Sequence, residues 1–496
     1  MQLVVLLVLA IGTALGLVKL IRSYIRLAGI PGPWLAAHTD LWRFRAQNSQ
    51  GWAGRLVQLH RQYGKLLRVG PNHVTVSDPN AVSVVYSMNP VWRKGPSYYG
   101  ATTVSQGRVL PSIIAMDEAQ HTAVRRTVGR AFATTSLLDY ESYIDHSAAE
   151  FVRVVGKLES ADIGLWLQFF AMDVLMRIGF SETPGFMQKG GDVDGILGAV
   201  IDRFDHWGRW GAMPTMDYVL NKGPLASMLK GKTDSPLARV GAAKFHARKT
   251  ALDPPDLADL CQKFLEGRAK HPDALNHDEI LGIILSTIGA GADTTAGTLT
   301  YTLFFLAKHP HCREKLQAEI DAGLQDGTLS NPPKWGEVYK LPYLEAVLKE
   351  SMRMFPIASW GLDRIVPEGG VTLAGTFIPP GTVVACQIDS IHRDTEVYGL
   401  DSEDFRPERW IEADEEQKRR MDRAFLAFSS GKRVCTGVHI AWLEMKKTLP
   451  LIMMNFNLEL VDANQDISKG IRVSAVKYPP PVWVKVVKRQ NGPVPS

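Results

Sequence analysis

The stretch from Asn276 to Pro310 constrains this chain more than any other. Asn276 with Glu279 has the form of a capping box and Pro310 stops the pattern, leaving about 32 residues for one helix. At 1.5 Å per residue that is roughly 48 Å of helix. Its middle is mostly apolar, so it is a buried helix, and a buried helix of that length has to cross an entire domain. The centre reads Gly289-Ala290-Gly291-Ala292-Asp293-Thr294-Thr295. Each glycine there costs about 1 kcal/mol against alanine, which calls for a reason. One reason is room for a ligand and a locally loosened hydrogen-bond ladder. Asp293 and Thr294 then place an acid and an alcohol beside that room, the parts of a proton relay. The alternative, two polar residues on an exposed face, sits poorly with the apolar run they interrupt. A dinucleotide-binding G-x-G-x-x-G fails at Thr294, where its last glycine belongs, and no strand precedes it.

The second informative stretch is Phe428 to Gly437, FSSGKRVCTG. A lone cysteine is usually a small buried hydrophobe. Here Gly431 and Gly437 permit tight turning and close approach to a flat ligand. Arg433 offers a permanent cation beside the Cys435 sulfur, favouring thiolate over thiol. A thiolate held this way can serve one axial position of haem iron.

At 496 residues length alone suggests about three domains. The composition, 45% hydrophobic and 22% charged, is that of a globular chain able to bury a large core. A net charge of +5 is too mild to argue for nucleic acid, and no dense Lys/Arg tract with interleaved aromatics occurs. Cys261, Cys312, Cys386 and Cys435 are spaced for neither a zinc site nor a disulfide framework. With no Asn-x-Ser/Thr acceptor in the sequence, the cytosolic side is the simpler reading.

Met1 to Val18 carries no charge; Lys19 interrupts, Leu20 and Ile21 extend the run, and Arg22 and Arg26 follow with no acid before Asp40. About 18 to 20 apolar residues just cover a thin bilayer of about 27 Å, and the basic flank keeps the following chain cytosolic. A cleaved signal peptide is the rival, but its n-region lacks a basic residue and the apolar stretch is long for it. Ile30-Pro31-Gly32-Pro33 breaks any helix. The expected division is an anchor with basic flank at 1–29, a proline-rich hinge at 30–38 and a single catalytic domain at 39–496.

Leu66 to Val76 reads as a hairpin around Gly70-Pro71-Asn72, and Thr376 to Val384 as strand–turn–strand. Helical patterns dominate from about residue 117, so the expected fold is mainly α with a small β-sheet region. His121 and Arg125, four apart, share a helix face; by chemistry alone they form a solvated basic face with Arg126 and Arg130. Phe204, Trp207, Trp210, Met213 and Met216 are core or pocket. His309-Pro310-His311-Cys312 is a helix-end loop rather than a metal cluster. A helix from Pro342 to Met354 carries Glu350 and Arg353 as an i,i+3 pair worth about 0.2–0.5 kcal/mol if exposed. Pro450 should kink or end the helix after Cys435.

Four motifs in order resemble the cytochrome P450 family: the Asp293-Thr294 helix, Glu350-x-x-Arg353, Phe405-Arg406-Pro407-Glu408-Arg409-Trp410, and the loop with Phe428, Gly431, Arg433, Cys435 and Gly437. The resemblance runs from the anchor to about residue 485. Around Arg364–Gly381 and Ser390–Trp410 it is similar to microsomal filamentous-fungal members of the pisatin-demethylase-like group. It implies a cytochrome P450 fold behind an N-terminal transmembrane helix, with haem b on Cys435. His121 (tryptophan in many members), Arg125, Arg433 and Arg364 would meet the propionates, and Asp293 and Thr294 would deliver protons. Glu350, Arg353 and Arg409 would be structural. Residues 200–218 would roof the pocket, Ile357 to Gly361 would line it, and Arg126, Arg130, Lys446 and Lys447 would face the electron donor. NADPH–cytochrome P450 reductase, with cytochrome b5 as a second donor, would supply electrons at the endoplasmic reticulum membrane. The implied activity is monooxygenation of a lipophilic small molecule in secondary metabolism. A peroxide-fed haem isomerase or dehydratase is the main alternative, though such relatives usually lack the acid–alcohol pair. A haem sensor or membrane scaffold would need no proton relay.

Overall fold

The computed structural model describes residues 16–489 except 17, 19, 20, 23, 50, 90, 91, 106, 107, 111, 225, 227, 229–234, 252–256 and 359–361, with backbone alone for 103–105 and 108–110. The apolar run read as an anchor lies outside the described residues apart from Gly16, Val18 and Ile21. The body is mainly helical with small sheets. Helices that matter below are α1 (Glu118–Val128), α2 (Leu137–Val155), α3 (Ile163–Phe180), α4 (Ile196–Trp210), α5 (Pro236–Thr250), α6 (His277–Lys308), α7 (Pro342–Met354) and α8 (Val438–Asn455).

α6 is one helix of 32 residues. Asn276 accepts the Glu279 N–H and Glu279 accepts the Asn276 N–H, so both halves of the capping box form. Pro310 begins the next helix at its first position, after a one-residue joint at His309. α3 runs antiparallel along α6, as three contacts show. A Cβ on Gly164 would meet Thr300, one on Gly291 would lie 2.7 Å from Leu175, and one on Gly179 would lie 2.8 Å from Ile288. The glycine at 291 therefore makes room for α3, and the helix runs through it unbroken. α3 and α6 are each long and apolar enough to cross a bilayer, but both are mostly buried inside the protein. Together with α2 and α8 they hold the main core.

β1 (Leu66–Gly70) and β2 (His73–Val76) form the expected antiparallel hairpin, Leu66 opposite Val76. The four-stranded sheet runs β1-β2-β4-β3, with β3 at Arg364–Ile365 and β4 at Val383–Cys386. β4 lies parallel to β2 and antiparallel to β3. The strand–turn–strand expected at 376–384 forms: Thr376–Ile378 pairs back on Val371–Leu373, and after the turn Val383–Cys386 enters the main sheet. Lys94 bridges to Arg364 at the sheet's edge. Near the C-terminus, β5 (Lys477–Tyr478) pairs with Arg472–Val473 and hydrogen-bonds Ile357 through the Lys477 N–H. α8 carries Pro450 inside and continues to Asn455, so the proline does not end it.

Candidate active site

The cysteine loop is closed by its own backbone. The Cys435 N–H donates to the Phe428 carbonyl at 2.9 Å, and Val434 N–H to Gly431 at 3.1 Å. Gly431 has φ +67°, and a Cβ there would fall 1.8 Å from the Tyr86 carbonyl oxygen, so only glycine fits. Gly437 borders open space, and the Phe428 ring leans on Trp442 of α8. Cys435 is accessible, yet surrounding protein is dense enough that burial pushes its thiol pKa up, opposed by the Gly437 N–H and the Arg125 charge. The sulfur thus faces an internal cavity. A metal ion would hold it as thiolate.

The cation near the sulfur is not the expected one. Arg433 turns away, donating from Nε to Glu118 and from Nη2 to the Met116 carbonyl, each at 2.8 Å. Its loop position is fixed by Glu118 at the start of α1, so Arg125 rather than Arg433 acts on Cys435.

His121, Arg125, Arg364 and Arg433 are brought together, and Lys94 joins them. His121 is buried, and burial followed by Arg433, Lys94, Arg125 and Lys432 pushes its pKa down to about 3. Lys94 donates to the Ile114 carbonyl at 2.7 Å; burial, then Arg433 and Arg364, hold its pKa well below the ordinary lysine range. Arg364 is anchored by the Tyr98 hydroxyl at 3.3 Å and the Asp363 carbonyl at 3.0 Å. Two atoms of the cluster, Arg433 Nη1 and His121 Nδ1, are buried without a partner among the described residues. A surplus of buried positive charge with spare donors fits an anion with two carboxylates, as the haem propionates are.

Along α6 between Gly282 and Leu306, only Thr287, Ala290, Gly291 and Thr294 are half-buried; every other residue is buried. At i, i+3, i+4 and i+7 they form one stripe, in which Gly291 lies against Leu175 of α3 while Thr287, Ala290 and Thr294 reach accessible space. The Thr294 hydroxyl donates to the Ala290 carbonyl at 2.8 Å. Asp293 points elsewhere and is 3% exposed. The Tyr478 hydroxyl of β5 donates to its Oδ2 at 2.6 Å, while Oδ1 has no partner among the described residues. Burial pushes the Asp293 pKa up to about 7 against that hydrogen bond.

Glu350 accepts five hydrogen bonds: Arg353 Nε at 2.8 Å and Nη2 at 2.7 Å, and Arg409 Nε, Trp410 Nε1 and the Arg406 N–H at 2.9 Å each. Burial alone would raise its pKa; Arg353 and Arg409 hold it below the ordinary range. Arg353, fully buried, also donates to the carbonyls of His392, Ser402 and Asp404. His392 carries the arrangement to the cysteine loop. Its Nδ1 lies 3.2 Å from the Arg353 carbonyl, so it donates there, and Nε2 accepts the Leu426 N–H at 2.8 Å.

Lys94, Tyr478, His392 and Trp410 were not among the sequence candidates; their partners lie tens to hundreds of residues away with no local pattern. Lys446 and Lys447 are corrected: both are buried, Lys446 on Glu345 at 2.8 Å and Lys447 on Asp145 at 2.8 Å and on Glu141. α8 is packed on all sides, so carboxylates of its neighbours meet its lysines. Arg126 and Arg130 are exposed. In residues 200–218, Phe204 is core and Trp207 donates to the Ser97 carbonyl, whereas Met216 is exposed. Ile357 packs on Gly297 of α6, and Ser359 to Gly361 lie outside the described residues. The helix-end loop expected at 309–312 is shorter than that: His309 alone joins two helices, and Pro310, His311 and Cys312 form the first turn of the second.

The sequence model of the family described as cytochrome P450 matches residues 37–486. A cytochrome P450 monooxygenase of Aspergillus terreus is 34% identical over 465 residues, covering 91% of this chain and 94% of the relative. The cytochrome P450 monooxygenase cicH of Emericella nidulans is 33% identical, covering 90% and 91%. In the same fungus, the cytochrome P450 monooxygenase pkfB is 32% identical, covering 90% and 89%. With one match across residues 37–486 and relatives aligned over about nine-tenths of their length, the chain belongs to the cytochrome P450 family of monooxygenases.

Proposed function

We propose that this chain is a haem-thiolate monooxygenase of fungal secondary metabolism acting on a lipophilic small molecule. The observation that carries the reading is Cys435, whose sulfur is accessible from inside a densely packed loop. Haem b, when bound, supplies the iron at which dioxygen is activated for insertion of one oxygen into the substrate. Cys435 would hold the iron through its sulfur, with Phe428, Gly431 and Gly437 shaping its loop. His121, Arg125, Arg364 and Arg433, together with Lys94, hold the propionates.

Thr294 presents its hydroxyl to the cavity, and the hydrogen bond to Ala290 keeps its proton in place until a stronger acceptor arrives. Asp293, with a pKa of about 7, has acid and base forms in comparable amounts at neutral pH and can restore that proton. Glu350, Arg353 and Arg409 fix the segment behind the site. NADPH–cytochrome P450 reductase and cytochrome b5 are the proposed donors, docking on the face that exposes Arg126, Arg130 and Lys432. Residues 1–29 anchor the protein once in the endoplasmic reticulum membrane, 30–38 form the hinge, and 39–496 are the cytosolic catalytic domain. Exposed Trp34, Leu35, Met216, Val219 and Leu220 support contact with a membrane surface.

Cys435→Ser tests the assignment. The reduced carbon monoxide complex of the wild type is expected to show the thiolate-type spectrum and the variant to lose it. An unchanged spectrum in the variant overturns the ligand.

A further inference from the structure

Arg203 projects from α4 onto the face of α6 that carries Gly282, Ser286 and Gly289, and its bonding is incomplete. Nε donates to the Ala101 carbonyl at 3.2 Å and Nη2 to Ser112 Oγ at 3.4 Å. Among the described residues Nη1 makes no hydrogen bond and no carboxylate pairs with the guanidinium. Nη1 lies 3.7 Å from where a Cβ of Gly289 would stand, so the absent side chain lets the cation rest on α6 itself. Ser286 Oγ donates to Ser112 Oγ at 3.2 Å, and both serines are buried. Arg203, Ser112 and Ser286 line a cavity between α4, α5 and α6 whose other walls include Val200, Leu237 and Leu285.

A neutral substrate would leave this charge unbalanced in an apolar setting, which is costly. Burial alone already pushes the Arg203 pKa down to about 10, and the neighbouring Lys222 feels its charge. The fork of a guanidinium matches a carboxylate, and the two hydroxyls add donors beside it. We infer that Arg203, with Ser112 and Ser286, binds a carboxylate on the substrate, so that the substrate class is an apolar-bodied carboxylic acid. Gly289 precedes Thr294 by five residues, about 7.5 Å along the helix axis. Five residues also turn the helix by about 140°, so the acid and the carbon to be oxidised are separated around α6 as well as along it.

This inference rests on the monooxygenase reading and is tested apart from it. Holoprotein is titrated with 2-naphthoate, dodecanoate and their methyl esters, following heat by calorimetry and the spin-state shift of the haem spectrum. The wild type is expected to bind acids about tenfold more tightly than esters. Arg203→Gln should remove that preference while ester affinity stays within about threefold, and Arg203→Lys should keep part of it. Equal affinity for acid and ester overturns the inference. So does failure of every acid to bind at roughly millimolar concentration, or an Arg203→Gln loss falling equally on both, which would make Arg203 a strut for the 101–112 segment. The reduced carbon monoxide spectrum of the same wild-type sample keeps the two readings separate. A missing thiolate band defeats the monooxygenase reading, whereas a normal band without acid preference defeats only this one.

Discussion

The Tyr478 hydroxyl is the group that sets how acidic Asp293 is. Burial raises that carboxyl because the charged form loses its water, and the hydrogen bond opposes the rise by favouring the charged form. Tyr478→Phe should therefore move the Asp293 titration above 7. A shift of about one unit, or about 1.4 kcal/mol, is the scale of one charge-assisted hydrogen bond. Infrared titration of the protonated carboxyl band, with Asp293→Asn to assign it, measures the midpoint; an unmoved midpoint would refute the coupling. Asp293 and Thr294 were legible in the sequence as polar interruptions of an apolar helix. That they face different ways was not. Adjacent residues on a helix diverge by about 100°, and the partner that Asp293 meets, Tyr478, is 185 residues away. Arg433 was misjudged for a related reason: closeness in sequence to Cys435 said nothing of the pull of Glu118.

Elements were read best where their signals are local. The α6 cap, the hairpin turn at 70–72 and the i,i+3 pair on α7 all come from short-range geometry and all appear. The two strands at 376–384 were legible too, but not that β4 lies between β2 and β3, which depends on pairing across some three hundred residues. α7 carries the next prediction. Replacing Arg353 by Met leaves Glu350 buried with fewer partners, a change of about 3–5 kcal/mol, so thermal unfolding should fall sharply and haem content with it. Arg353→Lys should rescue little, since a point charge cannot reach three carbonyls and a carboxylate at once. Near-normal haem content in both variants would show the cluster to be dispensable. On α8, Glu444 is fully buried with both oxygens unpartnered among the described residues, and burial holds its pKa well above the ordinary range. Such a group binds its proton more tightly folded than unfolded. Its contribution is whole below the unfolded pKa of about 4.3 and is lost as pH rises toward the folded value, at up to about 1.4 kcal/mol per pH unit. Glu444→Gln should remain stable and flatten that loss, seen as a stability gap over wild type that widens as pH rises above about 4.3 in denaturant titrations. A gap that does not change with pH would mean Glu444 titrates normally.

At the scale of the whole molecule, the attachment of the body to its N-terminal segment is specific. Arg26 Nη2 reaches the Pro380 carbonyl at 3.0 Å and Thr382 Oγ1 at 3.2 Å, and Leu27 is fully buried. Removing residues 1–20 should leave a folded protein that carbonate washing releases from microsomes, whereas the full chain stays in the pellet. Removing 1–29 should also lower the unfolding temperature. Release of the full chain by carbonate would refute a spanning anchor. Composition and motif order made the mainly helical class legible, but not which surfaces close on one another. β5 is one such surface, and it closes late. At about 5–20 residues per second of synthesis, Tyr478 leaves the ribosome roughly 10–40 s after Asp293. For that interval the long helix exists without the partner of its acid, and a chain interrupted after residue 470 would carry the complete cysteine loop but never receive that partner. Messages cut short there should yield a coloured protein that binds its pigment and handles protons badly.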